Sequence, residues 1–128
     1  MKTNTQVYRQ LMPKKVSTEL PALYTNQEVG EGEAKFMVKY FNPCGAQTWY
    51  ISEGEPITDE DGAPQLCPKT LDQDWMFYGY VDGFDYPEWG YVTLGQLVDL
   101  RCAPFNMPIE RDIHFSPSTL EDIFPSRS

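Results

Sequence analysis

The chain has 128 residues and a formal net charge of −9, so it is expected to fold as a single domain over residues 1–128. Nucleic-acid contacts depend on Lys and Arg, so the negative charge argues against direct binding to nucleic acid, and it disfavours an anionic membrane surface too. No apolar run approaches the roughly 18 residues of a membrane span, and three cysteines fit no closed disulfide framework. We therefore expect a reduced, cytoplasmic protein.

The first sixteen residues carry four basic side chains and no acidic one. This composition predicts a flexible basic arm over residues 1–16. Ser17 or Thr18 is a suitable N-cap, and Pro21 is tolerated in a first turn, so a short helix is expected over about residues 18–26. The glycines of EVGEGEA should end that helix.

Alternating apolar residues predict an antiparallel hairpin in the next part of the chain. The segment AKFMVKYFNP would place Phe36, Val38 and Tyr40 on one face of a strand. The segment QTWYISE would place Trp49 and Ile51 on one face of a second strand. The sequence NPCG between them is typical of a turn.

The segment DWMFYGYVDGF also reads as a strand, but it is apolar on both faces, and WGYVT follows it as a further strand. One interpretation is a central strand covered by helices on one side and by a loop on the other. The alternative is a tyrosine-rich face at the surface, which is common in protein interfaces. Residues 56–73, which precede this strand, form a long acidic and proline-rich loop that is expected to be mobile.

Capping-box spacings predict two further helices, one starting at Thr93 with Gln96 and one starting at Ser118 with Glu121. Together the patterns predict an α+β fold. It consists of a single antiparallel sheet of about four to five strands, with two or three short helices packed on one face.

Acidic residues concentrate in the middle of the chain. The window from Glu53 to Glu88 has ten acids and one base, whereas the remaining acids and bases balance. The concentration favours either a solvated, solubilising surface or a surface that attracts a cationic partner. In the second interpretation the partner-binding carboxylates are Glu53, Glu55, Asp59, Glu60, Asp61, Asp82, Asp85 and Glu88, and the aromatic anchors are Trp49, Tyr78 and Tyr80.

The segment MPIERDIHF offers a possible metal site. On a strand, Glu110, Asp112 and His114 would share one face, and Glu53 could complete the ligand set of a small metal-assisted hydrolase. The simpler interpretation is a polar outer face in which Arg111 pairs with a carboxylate. No cofactor fingerprint is present, so no cofactor is expected.

The segments LPALY, VKYFNP, TWYISEGEP, MFYGYVDGF, EWGYVTLGQL and MPIERDIHF, in this order, resemble the bacterial family catalogued as domain of unknown function 2958. The resemblance covers about residues 19–115. It implies an accessory protein of plasmids, phages and other mobile elements, and the family name specifies no catalytic activity.

By analogy, the resemblance implies a non-enzymatic interaction protein whose acidic, aromatic surface meets a host or plasmid-encoded protein with a basic surface. An anti-defence role against restriction or CRISPR systems, in which the negative surface imitates DNA, is one form of this expectation.

Overall fold

A five-stranded antiparallel sheet organises the computed structural model, which describes residues 2–125. Its strands are β1 (Val38–Phe41), β2 (Thr48–Pro56), β3 (Trp75–Asp82), β4 (Glu88–Thr93) and β7 (Glu110–Arg111), while β5 (Arg101–Cys102) and β6 (Met107–Pro108) form a separate pair. The helices are α1 (Asn4–Leu11), α2 (Lys14–Glu19), α3 (Leu94–Asp99) and α4 (Leu120–Ile123). The strand order in the large sheet is β4-β3-β2-β1-β7. The predicted α+β fold is confirmed, and four short helices surround the sheet.

The main core lies between one face of the sheet and the first three helices. Val7 and Leu11 of α1, Val16 of α2 and Leu97 of α3 pack into it, and all are buried. The sheet contributes two aliphatic and three aromatic side chains, namely Val38, Ile51, Tyr40, Trp49 and Phe77. Burial of these side chains removes a large apolar area from water, and this burial stabilises the helix–sheet packing.

A smaller cluster covers the opposite face of the sheet. Phe36, Tyr50, Tyr80 and Leu120 are its buried members, so α4 lies on this second face and not with the other helices. The hairpin prediction placed Phe36 beside Val38 and Tyr40, which was wrong for Phe36. Phe36 bridges to Ser118 outside the regular strand, and its ring lies 5.5 Å from that of Tyr50 on the second face. The main core covers one face of β3 and the second cluster covers the other, which explains why the strand has apolar side chains on both faces.

The predicted flexible arm over residues 1–16 is corrected by α1 and α2. Thr3 and Gln6 form a reciprocal capping box at the start of α1. Val7 and Leu11, four residues apart, then lie on one side of the helix and are buried. The basic residues occupy the outer side of a packed element. Met1, the first residue of the predicted arm, lies outside the described residues.

The helix predicted over about residues 18–26 is also corrected. α2 ends at Glu19, and turns follow over residues 23–29. Pro21 follows the cap residue Leu20 and has no backbone N–H to donate, so the hydrogen-bond ladder of α2 cannot continue past this point. The cap at Thr93 with Gln96 is confirmed for α3.

The second predicted cap was displaced by one residue. In the structure Thr119 caps α4 and Asp122 completes the box, in place of Ser118 and Glu121. Since Ser118 pairs with Phe36 in an antiparallel bridge, its backbone is already extended when the helix begins.

The loop at 56–73 folds back on itself through two antiparallel bridges, Thr58 with Pro64 and Leu66 with Gln73. Cys67 is buried, and the Tyr8 hydroxyl of α1 donates a hydrogen bond of 2.7 Å to the Gln73 carbonyl. Within residues 2–125, no helix has the length and apolar character needed to cross a membrane.

One buried hydrogen bond ties α1 to the sheet, and its removal should be measurable. The hydroxyl of fully buried Tyr40 donates to the Leu11 carbonyl over 2.6 Å. Because Tyr40→Phe leaves that carbonyl without its partner, we expect the free energy of unfolding to fall by about 1–2 kcal/mol. Urea denaturation measures the change, and Tyr86→Phe at an exposed ring serves as the control. Equal stabilities for the two variants would contradict this role.

Candidate functional site

The mid-chain carboxylates do not form one acidic surface. β2 and β3 are antiparallel, with Thr48 opposite Asp82 and Pro56 opposite Trp75. Asp59, Glu60 and Asp61 therefore follow the end of β2 at one end of the sheet, whereas Asp82, Asp85 and Glu88 surround the β3–β4 turn at the other. The nine residues of β2 span roughly 26 Å, well beyond the screening length of about 8 Å in physiological salt. The expected continuous acidic surface is corrected to two separate groups.

Three of the predicted surface residues lie inside the protein. Trp49 belongs to the main core and Tyr80 to the second cluster, each with 5% of its surface exposed. Glu53 is only 4% exposed. These side chains are unavailable as surface anchors or as part of an exposed charge pattern.

Glu53 and Glu55 instead anchor the segment before β1 to the sheet. One oxygen of Glu53 accepts a hydrogen bond from the Tyr24 N–H at 3.1 Å, and the other accepts from the Asn26 N–H at 2.6 Å. Glu55 accepts from the Leu23 N–H at 2.9 Å. Both carboxylates point to the same face of β2. Together they hold residues 23–26 in place, which lie in turns and belong to no helix or strand.

This anchoring forms a cavity of about 420 Å³ on the second face of the sheet. The strands provide its floor and the segment 24–34 provides its outer wall. We call it the ring–carboxylate pocket and define it by Tyr24, Glu31, Glu53, Tyr78, Trp89 and Tyr91. Of the residues predicted from the sequence as partner-binding, it brings together Glu53 and Tyr78.

The rings of the pocket are packed against one another across two strands. The ring centroid of Tyr78 lies 4.8 Å from that of Tyr91 and 5.7 Å from that of Trp89, against which it stacks. Tyr78 and Tyr91 are directly opposite in the β3–β4 ladder. The Tyr78 hydroxyl donates a hydrogen bond to Glu31 across the pocket. A rigid, electron-rich wall is the result, since each ring presents negative potential on its face.

The electrostatic environment of the pocket is negative. Burial, together with the hydrogen bond to Glu31 and the charges of Glu31 and Glu53, raises the pKa of Tyr78. A hydrogen bond with Tyr24 raises the pKa of Tyr91. Neither Glu31 nor Glu53 forms an ion pair with a Lys or Arg in the part of the chain that the structure describes. Among residues 2–125, no basic side chain therefore pairs with these two carboxylates.

The prediction that Glu110, Asp112 and His114 share one strand face is wrong, because β7 ends at Arg111. Asp112 begins a turn in which its carboxylate accepts the His114 N–H at 2.9 Å, and it also pairs with Lys39 at 3.6 Å. Glu110, Asp112 and His114 consequently do not share one strand face, and Glu53 serves the ring–carboxylate pocket instead. Residues 2–125 contain no group of three or more His, Cys, Asp or Glu side chains arranged to hold a metal ion.

Comparison with known families gives one finding. The family model described as "Protein of unknown function (DUF2958)" matches residues 11–122, from the end of α1 to α4. The match includes every residue of the ring–carboxylate pocket. Comparison with curated proteins and with solved structures gives no match.

Proposed function

Because the chain belongs to the DUF2958 family, whose description specifies no reaction, we propose its function from the ring–carboxylate pocket. In this proposal the protein is a non-enzymatic interaction protein, and the pocket receives a cationic side chain from a basic protein partner. The observation that carries the proposal is the presence of Glu31 and Glu53 among four aromatic rings without an ion-pair partner in residues 2–125.

The chemistry of the pocket supports a cation as the occupant. An ammonium or guanidinium group is attracted to the face of Tyr and Trp rings, and desolvation strengthens this attraction. Glu31 is exposed and can approach the bound charge, whereas Glu53 supplies fixed negative charge from beneath. The net charge of −9 adds long-range attraction for a basic partner and so favours fast association.

The biological setting of the proposal rests on the family resemblance alone. In it the protein belongs to a plasmid or phage and meets a host or plasmid-encoded protein, with an anti-defence role as one form. The cytoplasmic location in the proposal rests instead on the cysteine content and the absence of a long apolar run in the sequence. Imitation of DNA would need carboxylates arranged side by side over a long surface. The division of the acids between two ends of the sheet favours insertion of a cationic side chain over that mechanism.

Titration with a single lysine derivative tests the proposal. Nα-acetyl-lysine methylamide should shift the NMR signals of the Trp89 indole and the Glu31 amide, and added salt should weaken its binding. Nα-acetyl-norleucine methylamide has the same chain without the amine and should bind far more weakly. Glu31→Gln should weaken lysine binding by about two- to fivefold because it removes the exposed charge.

Matched variants distinguish binding in the pocket from an effect of the overall charge of the protein. Glu33→Gln, at an exposed residue outside the pocket, removes one negative charge just as Glu31→Gln does and should leave the affinity unchanged. Tyr91→Leu keeps apolar area but removes a ring face, so about two- to fivefold weaker binding is expected. Equal binding of the lysine and norleucine derivatives would refute a cation pocket.

A further inference from the structure

β4 is a free edge of the sheet beside the ring–carboxylate pocket. The strand order places β3 on one side of it and no described strand on the other. In an antiparallel ladder, alternate residues of an edge strand direct their N–H and C=O groups outward. β4 contains no Lys and no Pro, the residues that commonly block such an edge. It therefore offers backbone hydrogen bonds to another extended chain.

The two faces of β4 adjoin different cavities. Trp89 and Tyr91 point to the ring–carboxylate pocket. On the other face, Val92 borders a second cavity of about 420 Å³ between β4 and α3. We call this second cavity the apolar groove and define it by Val81, Phe84, Tyr86, Val92, Leu97 and Leu100, with Glu88 and Gln96 as the polar side chains of its lining. A chain that paired with β4 would turn successive side chains toward these two sites in alternation.

The apolar groove has accessible hydrophobic surface at the edge of the sheet. Phe84 is 56% exposed and Tyr86 is 67% exposed. At Gly90, which also borders the groove, a Cβ atom would meet no atom within 4 Å. The space above this glycine leaves room for the side chain of a bound segment.

We propose that an extended segment of the basic partner pairs with β4, with basic side chains entering the ring–carboxylate pocket and alternate apolar side chains entering the apolar groove. This inference rests on the proposed function and specifies how the partner binds. In such strand addition the backbone hydrogen bonds supply affinity, and the alternating pockets select the sequence.

Charge complementarity selects this occupant over a second copy of the chain. Each copy carries a net charge of −9, so pairing of two β4 edges would bring two strongly negative molecules together. A segment with a basic residue at every second position opposes the negative pocket instead. Its apolar residues then cover the exposed rings of the groove.

Two peptides of identical composition test the arrangement. Acetyl-Lys-Val-Lys-Val-Lys-Val-Lys-amide alternates basic and apolar residues, whereas acetyl-Lys-Lys-Lys-Lys-Val-Val-Val-amide does not. By fluorescence titration, we expect the alternating peptide to bind about tenfold more tightly. We also expect it to slow amide exchange in residues 88–93. Gly90→Lys should abolish this preference without changing binding of the single lysine derivative, and Ile113→Lys at the opposite edge of the sheet is its control.

The outcomes distinguish this inference from the function on which it rests. Equal affinities for the two peptides, with lysine derivative still bound, would overturn strand addition and leave the cation pocket standing. Failure of the lysine derivative to bind would overturn both. If sedimentation shows a dimer of the full chain that Gly90→Lys dissociates, a second copy occupies the edge, and the peptide inference is overturned.

Discussion

Replacing Gly79 by alanine is expected to remove most of the stability of the fold. Gly79 lies opposite Ile51 at the centre of the β2–β3 ladder. A Cβ atom at this position would lie 1.9 Å from the carbonyl oxygen of Tyr50 and 2.9 Å from the Cα of Ile51. These atoms belong to the backbone of β2, so the overlap is relieved only if the two strands separate. We expect a loss of more than about 4 kcal/mol from the free energy of unfolding.

Gly90→Ala is the matched control for this experiment. Gly90 lies opposite Gly79 in the β3–β4 ladder, but a Cβ there meets nothing within 4 Å. Its stability should stay within about 0.5 kcal/mol of the parent chain. Circular dichroism at rising urea concentration measures both variants. A Gly79→Ala protein with the parent's unfolding midpoint would contradict the close approach of β2 and β3.

Replacing Glu53 by glutamine is expected to lower the free energy of unfolding by about 2–3 kcal/mol. The buried carboxylate accepts the N–H groups of Tyr24 and Asn26, one on each oxygen. Glutamine keeps one acceptor and directs an NH₂ group at the second N–H, which leaves a buried donor without a partner. Hydrogen exchange should accelerate at the amides of Tyr24 and Asn26.

Glu60→Gln removes the same charge at an exposed residue and serves as the control for Glu53→Gln. It should change the stability by less than about 0.5 kcal/mol. Unchanged stability and unchanged amide exchange in Glu53→Gln would show that the wall of the ring–carboxylate pocket does not depend on this carboxylate. Because Glu53 is structural, the binding test uses Glu31 instead.

The sheet was predictable because local alternation reports burial directly. Trp49 and Ile51 face the main core opposite Tyr50, as the strand pattern indicates. The capping box at Thr93 fixed the start of α3 for the same local reason. The first helix was missed although its signal was present. Thr3, Gln6, Val7 and Leu11 have the spacing of a capped amphipathic helix. The four basic residues of this part of the chain and its lack of acids instead favoured the interpretation as a flexible arm.

The division of the acidic residues follows from the antiparallel connection of β2 to β3. Residues that follow the first strand of such a pair lie at one end, and residues that follow the second strand lie at the other. Asp61 and Asp85 therefore had to separate once these strands were assigned. A high density of charge in the sequence does not imply a high density of charge on the surface.

The ring–carboxylate pocket was only partly within reach of sequence analysis. Trp89 and Tyr91 alternate with Gly90 and so could have been placed on one face of β4. Tyr24 and Glu31 could not be placed, because they reach the pocket through turns fixed by long-range hydrogen bonds to Glu53 and Glu55. The periodicity of apolar residues within a segment carries no information on contacts between segments that are distant in the sequence.

A crystal structure of the chain grown with butylguanidinium tests the central claim most directly. The account predicts a planar guanidinium group in the ring–carboxylate pocket, over the Tyr78 or Tyr91 ring and within about 4 Å of a Glu31 oxygen. An empty pocket at saturating butylguanidinium, or the group bound elsewhere with the pocket unoccupied, would contradict it.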